Sequence, residues 1–103
     1  MLFLSPGAFS IINFPQNVTV NETGNASFFC NATSYPPYQT LATHITWSKL
    51  GDSSNVLARG EHLVLQNVSR HNATTYVCQA KNGLGLPDTA TAVLSVLREY
   101  KPV

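Results

Sequence analysis

Three kinds of reactive side chain recur in this 103-residue chain: two cysteines, three histidines and nine asparagines. Six of the asparagines, Asn17, Asn21, Asn25, Asn31, Asn67 and Asn72, open an Asn-x-Ser/Thr triplet with no Pro in the middle. That triplet is the acceptor which the secretory pathway glycosylates on the amide nitrogen. With 19 Ser and Thr among 103 residues, chance would supply fewer than two. The count places the chain in an oxidising, secretory or cell-surface compartment, where a disulfide persists. Taken alone, Cys30 and Cys78 leave a disulfide and two free thiols both open.

The other candidate chemistries are weak. His44, His62 and His71 invite metal coordination, but their spacings match no ligand pattern and no Cys or carboxylate pair accompanies them, so no metal is expected. Ser, His and Asp occur without a nucleophile elbow or an oxyanion-hole motif. Gly83-Leu84-Gly85 reads as a hairpin feature, because no helix follows it to bind a phosphate. No enzyme and no cofactor are expected. Charge is sparse and balanced, six Lys/Arg against five Asp/Glu, so the basic footprint of a nucleic-acid binder is missing. No run approaches the roughly 20 apolar residues of a membrane span. Met1-Leu2-Phe3-Leu4 is apolar but lacks a basic n-region and is interrupted at Pro6-Gly7, which does not read as a signal peptide. A fragment of a larger ectodomain is expected.

The elements that must position these residues are short strands. Residues 1–11 read as a tail, and Ile12-Asn13-Phe14-Pro15 as an edge strand, since Pro15 cannot donate to a central ladder. Ala26, Phe28, Cys30 and Ala32 recur at period two and point inward, with Phe29 and Asn31 facing the other way. Residues 33–43 read as a loop, and His44–Leu50 as a strand with Ile45 and Trp47 inward. Val56-Leu57-Ala58 is a weak strand; Leu63-Val64-Leu65 followed by Val68 is another, buried at Leu63 and Leu65. Residues 69–74 cross over to Tyr76-Cys78-Ala80, and Ala90–Leu97 closes the set with Ala92, Leu94 and Val96 inward. About seven short strands without helical periodicity indicate an all-β sandwich.

In this order and spacing the residues resemble the immunoglobulin superfamily, and within it the intermediate set. Val20-Asn21-Glu22 and Ala26–Ala32 resemble the family's strands A′ and B, Trp47-Ser48-Lys49 its strand C, and Leu63–Val68 its strand E. Tyr76-Val77-Cys78-Gln79-Ala80-Lys81-Asn82-Gly83-Leu84-Gly85 is similar to its Tyr-x-Cys-x-Ala-x-Asn-x-x-Gly signature, and Ala92-x-Leu94-x-Val96 to strand G. The resemblance implies a two-sheet antiparallel sandwich with one inter-sheet disulfide, Cys30–Cys78. It also implies Trp47 packed on the sulfurs and Tyr76 bonded to the backbone a few residues upstream. Trp47, Tyr76 and Leu65 are the expected structural core. The chain departs from the family at Asn72-Ala73-Thr74-Thr75-Tyr76, where Asp-x-Gly-x-Tyr is usual, and in a longer loop before Trp47.

The expected organisation is a tail over 1–11, one domain over 12–97 and a linker over 98–103. Tyr35 and Tyr38, in a proline-stiffened loop, and Leu84 and Leu86, in the hairpin, are candidate contact residues, because Tyr gives contact area at low entropic cost. The family topology puts Asn25, Asn67 and Asn72 at the end opposite those loops and Asn31 outward on one sheet. It puts Asn17 and Asn21 along the A′ edge, with no sequon on strands C, F or G. Thr46, Ser48, Val77, Gln79 and Lys81 complete the candidate contact set as the outward residues of that sugar-free face. The function this implies is protein–protein recognition at the cell surface, homophilic or heterophilic, with neighbouring immunoglobulin-like domains in the same chain. The alternatives are a structural spacer in an ectodomain or matrix protein, and a ligand-binding module of a receptor kinase or phosphatase.

Overall fold

The computed structural model describes residues 9–34, 44–81 and 87–98. Among the described residues nine strands form two layers: β1 (Phe9–Asn13), β2 (Val18–Asn21), β3 (Ala26–Phe29), β4 (Asn31–Ser34), β5 (His44–Lys49), β6 (Ala58–Arg59), β7 (His62–Leu65), β8 (Thr75–Lys81) and β9 (Asp88–Leu97). One layer is a five-stranded sheet in the order β2-β9-β8-β5-β6. The other is built from the antiparallel pairs β1–β4 and β3–β7. Cys30 separates β3 from β4 and donates its N–H to the Glu61 carbonyl (2.9 Å), so the two pairs share one interrupted strand.

Alternation decides which side chains fill the space between the layers. Phe28, Cys30, Ile45, Trp47, Leu63, Tyr76, Cys78, Ala80, Ala92 and Leu94 all point inward and are buried, as period-two spacing requires. The Cys30–Cys78 disulfide crosses the core with Cα atoms 6.5 Å apart. Trp47 is the cross-strand partner of Cys78, and Phe28 lies between the rings of Trp47 and Tyr76 at 6.1 and 5.6 Å. The indole N–H of Trp47 donates to the Gly60 carbonyl (3.1 Å). Gly60 has φ +108°, a conformation that only glycine adopts at no cost, and its own N–H donates to the Ile45 carbonyl (2.8 Å).

Several elements differ from the sequence reading. The first strand begins at Phe9, inside the expected tail, and carries Ile11 into the core at 3% exposure. It ends where a bulge between Ile11 and Asn13 and then Pro15 stop the ladder. The chain then crosses to the other layer, where β2 runs parallel to β9. Residues Thr33 and Ser34 extend β4 rather than opening a loop. The weak strand expected at Val56–Ala58 is displaced to the two-residue β6, Ala58–Arg59, which pairs with β5 and widens the five-stranded sheet. Leu65, expected in the core, is half-buried and packs on the core margin, while Leu63 fills the interior. Val68 is buried but lies outside β7, past Asn67 at φ +51°.

The crossover before β8 contains one turn of 3₁₀ helix at Arg70–Asn72. Asn72, standing where the family has Asp, closes a capping box: its Oδ1 accepts from the Ser69 N–H (2.8 Å), and Ser69 Oγ accepts from the His71 N–H (3.2 Å). The Tyr76 hydroxyl donates to the Asn72 carbonyl at 2.7 Å. Burial raises the Tyr76 pKa above its ordinary 10.0, outweighing a lowering by the Asn72 side chain.

Candidate functional site

Strands β5 and β8 pair in register, so their outward side chains form rows across the sheet. Thr46 faces Gln79, Ser48 faces Val77 and His44 faces Lys81. The rows continue onto the neighbouring strands: Arg59 of β6 lies beside Thr46, and Thr89 and Thr91 of β9 lie beside Gln79 and Val77. One row thus runs Arg59, Thr46, Gln79, Thr89 across four strands. The candidates Thr46, Ser48, Val77 and Gln79 are half-exposed and Lys81 is exposed. Hydroxyls, one amide and two cations at Arg59 and Lys81 make this a polar, mildly positive surface. Asp88 is on the same sheet, but its carboxylate is spent internally, accepting from the Ile11 N–H (2.8 Å) and the Thr89 N–H (3.0 Å).

The other four candidates, Tyr35, Tyr38, Leu84 and Leu86, lie outside the described residues. The three histidines sit on separate elements, His44 on β5, His62 on β7 and His71 in the 3₁₀ turn. Among the described residues no group of three His, Cys, Asp or Glu side chains could hold a metal ion.

The sequon asparagines lie off the β5–β8 surface. Asn17 accepts from the Val93 N–H (2.9 Å), fastening the start of β2 to β9, and Asn21 lies opposite Leu97. Strand β2 is therefore the edge of the same five-stranded sheet, and sugars at Asn17 and Asn21 would flank β9. The unmodified surface narrows to β8, β5 and β6. Asn25 accepts from the Asn67 N–H (3.1 Å), and Asn72 caps the 3₁₀ turn; a Glu22–Arg70 ion pair (3.4 Å) ties these two turns together. Glycosylation uses Nδ2, so each of these Oδ1 acceptors keeps its structural hydrogen bond. Asn31 lies on β4, in the opposite layer.

One feature of that opposite layer escaped the sequence reading. Ile12, Phe14, Phe29 and Val64 are exposed large apolar side chains (52, 60, 38 and 57%). A groove of about 430 Å³ is lined by Ile12, Asn13, Phe14, Gln16, Ser27 and Phe29, among others. Phe29 was visibly out of phase with Phe28 and Cys30. Its proximity to Phe14 depends on the β1–β4 pairing, which no local pattern announces.

The fold and its disulfide fit a known class. A family profile described as an immunoglobulin domain matches residues 10–82, and the chain belongs to that family. Human IgLON family member 5 is 32% identical over 93 residues, covering 89% of this chain and 25% of that protein. Neuronal growth regulator 1 of Gallus gallus is 28% identical over 86 residues, covering 84% and 23%. The crystal structure of the N-terminal Ig1-2 module of the Drosophila receptor protein tyrosine phosphatase DLAR superposes with a TM-score of 0.69 at 31% identity, over 90% of this chain and 50% of that one. The chain spans about a quarter of the length of those two curated relatives. The molecule is an immunoglobulin domain with one internal disulfide, similar to parts of IgLON family member 5, neuronal growth regulator 1 and a receptor protein tyrosine phosphatase.

Proposed function

We propose that this domain is an extracellular protein-recognition module, and that the outward surface of β5, β6 and β8 is where it meets its partner. The observation that carries the reading is the distribution of sequons: the six lie on β2, on β4 and in the turns beside them, and none lies on β5, β6, β8 or β9. A glycan bars close approach of a protein, so an unmodified sheet face amid sugars is the surface left for contact. Rows of Thr, Ser, Gln and Val side chains can be desolvated without stranding a charge. Arg59 and Lys81 favour a partner patch rich in hydrogen-bond acceptors or carboxylates, and such charge steers association and register more than it adds affinity. The partner is a second copy of this domain or another ectodomain. Tyr35, Tyr38, Leu84 and Leu86 are proposed to extend the contact, residues 12–97 together with the β1 residues Phe9–Ile11 to form the recognition unit, and 98–103 to lead to a neighbouring domain. Neither catalysis nor a cofactor is part of the proposed function. Likeness to the receptor phosphatase module favours a receptor ectodomain as the setting.

Alanine substitution at Gln79, Lys81 and Tyr38 tests the reading, with binding to self and to candidate ectodomains measured by surface plasmon resonance. At least one substitution is expected to weaken binding tenfold or more, the size of a contact hot spot. Unchanged binding in all three would overturn it. A monomer that binds nothing would favour the spacer.

A further inference from the structure

The exposed aromatic cluster and a sequon share one face of one strand. Side chains two residues apart point to the same side of an extended strand. Cys30 points into the core, so Phe29 and Asn31 both point out of the smaller layer. Phe29 is braced by its cross-strand partner His62, with ring centroids 5.0 Å apart, and it lines the groove with Phe14 and Ile12. Asn31 pairs with Asn13, which lines the same groove. Asn17, Asn25 and Asn72 use their amide oxygens to hold turns and edges. Among the described residues, the side chains of Asn21, Asn31 and Asn67 accept no such bond.

We propose that Asn31 carries an N-linked glycan whose first N-acetylglucosamine stacks on Phe29 and covers the apolar groove beside it. A pyranose ring presents carbon-bound hydrogens on one face, weakly positive and apolar, which complement the negative face of an aromatic ring. A sugar tethered two residues from the ring needs no second molecule and meets it at millimolar effective concentration or above. That advantage selects the sugar over a protein as occupant of the patch. The modification itself is a group transfer in the secretory pathway. A lipid-linked pyrophosphate oligosaccharide donates its chain: the bond from sugar C1 to phosphate oxygen breaks, the bond from C1 to Asn31 Nδ2 forms, one Nδ2 proton leaves, and the lipid pyrophosphate departs. Phe29 is thus a positioning surface for the glycan. The inference goes beyond the recognition reading and survives if the β5–β8 surface proves inert.

The domain is secreted from glycosylating cells as wild type, Asn31→Gln, Phe29→Ala and the double variant, with Asn21→Gln as a control. Peptide mass spectrometry should find Asn31 occupied. Removing the sequon by Asn31→Gln should lower the melting temperature by about 3–8 °C in the wild-type background, the scale of one aromatic-face contact in a small domain. In the Phe29→Ala background it should change it by less than about 1 °C, because coupled contacts are lost only once. Trimming the folded glycoprotein to a single N-acetylglucosamine should retain the stability, which keeps the test independent of how well the variants fold. An unoccupied Asn31, or an equal drop in both backgrounds, would overturn the proposal. So would loss of self-association in Phe29→Ala with the glycan intact, which would make the patch a protein-docking surface.

Discussion

Replacing Tyr76 by Phe removes one oxygen from the fold and nothing else. Its hydroxyl, 2.7 Å from the Asn72 carbonyl, joins the start of β8 to the crossover that precedes it. The ring itself stays, with Phe28 at 5.6 Å and no exposure to solvent, so packing is unchanged. A hydrogen bond of this kind contributes about 1 kcal/mol net, and stranding the half-buried Asn72 carbonyl adds up to about 1 more. Urea unfolding should therefore show a loss of about 1–2 kcal/mol with an unchanged m-value, or a melting temperature lower by about 5–10 °C. A second readout separates the hydroxyl from the ring. Burial raises the folded pKa of Tyr76 above its ordinary 10.0, so the folded state holds this proton where the unfolded state has lost it. The stability from that shift is fully present below pH 10 and is lost as pH rises through the folded pKa. Wild type should lose more stability above pH 10 than Tyr76→Phe does. A change under about 0.3 kcal/mol, with matching alkaline limbs, would show that the Asn72 capping box holds the corner without Tyr76.

Two further outcomes follow from the structure. Cys30→Ala/Cys78→Ala should lower stability by about 4 kcal/mol on the chain-entropy account, since the bridge closes 48 residues; denaturant unfolding of the unglycosylated domain checks it, and a loss under about 2 kcal/mol would contradict it. Thr23 is β-branched yet held at φ +70°, so Thr23→Gly should stabilise the unglycosylated domain by about 1 kcal/mol, while mass spectrometry of the secreted protein shows Asn21 left bare.

Much of the interior was legible because alternation is a local signal. Phe28 and Cys30, Ile45 and Trp47, Tyr76, Cys78 and Ala80, Ala92 and Leu94 each point inward as their spacing requires. What escaped depends on distant partners. Phe9–Ile11 has no pattern of its own and becomes a strand by pairing with Ala32–Ser34. β6 is too short to show a period, and its choice of β5 over the smaller layer is a matter of register. Leu65 sits in phase with Leu63 but at the strand's open end, where the core thins. The β5–β8 surface was readable as alternate residues within two strands. Its narrowing by Asn17 and Asn21 came only with β2 lying parallel to β9 in the same sheet.

Gln79 stands in the middle of the row that runs from Arg59 to Thr89, and Gln79-Ala80-Lys81 needs two changes to become a sequon. Gln79→Asn with Lys81→Thr would plant a glycan at the centre of the proposed contact surface while leaving the buried residues of β8 untouched. Multimerised glycoprotein, wild type and variant, is assayed against itself and against a panel of ectodomains, with mass spectrometry confirming that the new site is occupied. Recognition through β5, β6 and β8 predicts that every interaction of the wild type is lost from a variant that melts within a few degrees of it. An occupied variant that binds as the wild type does would contradict the account.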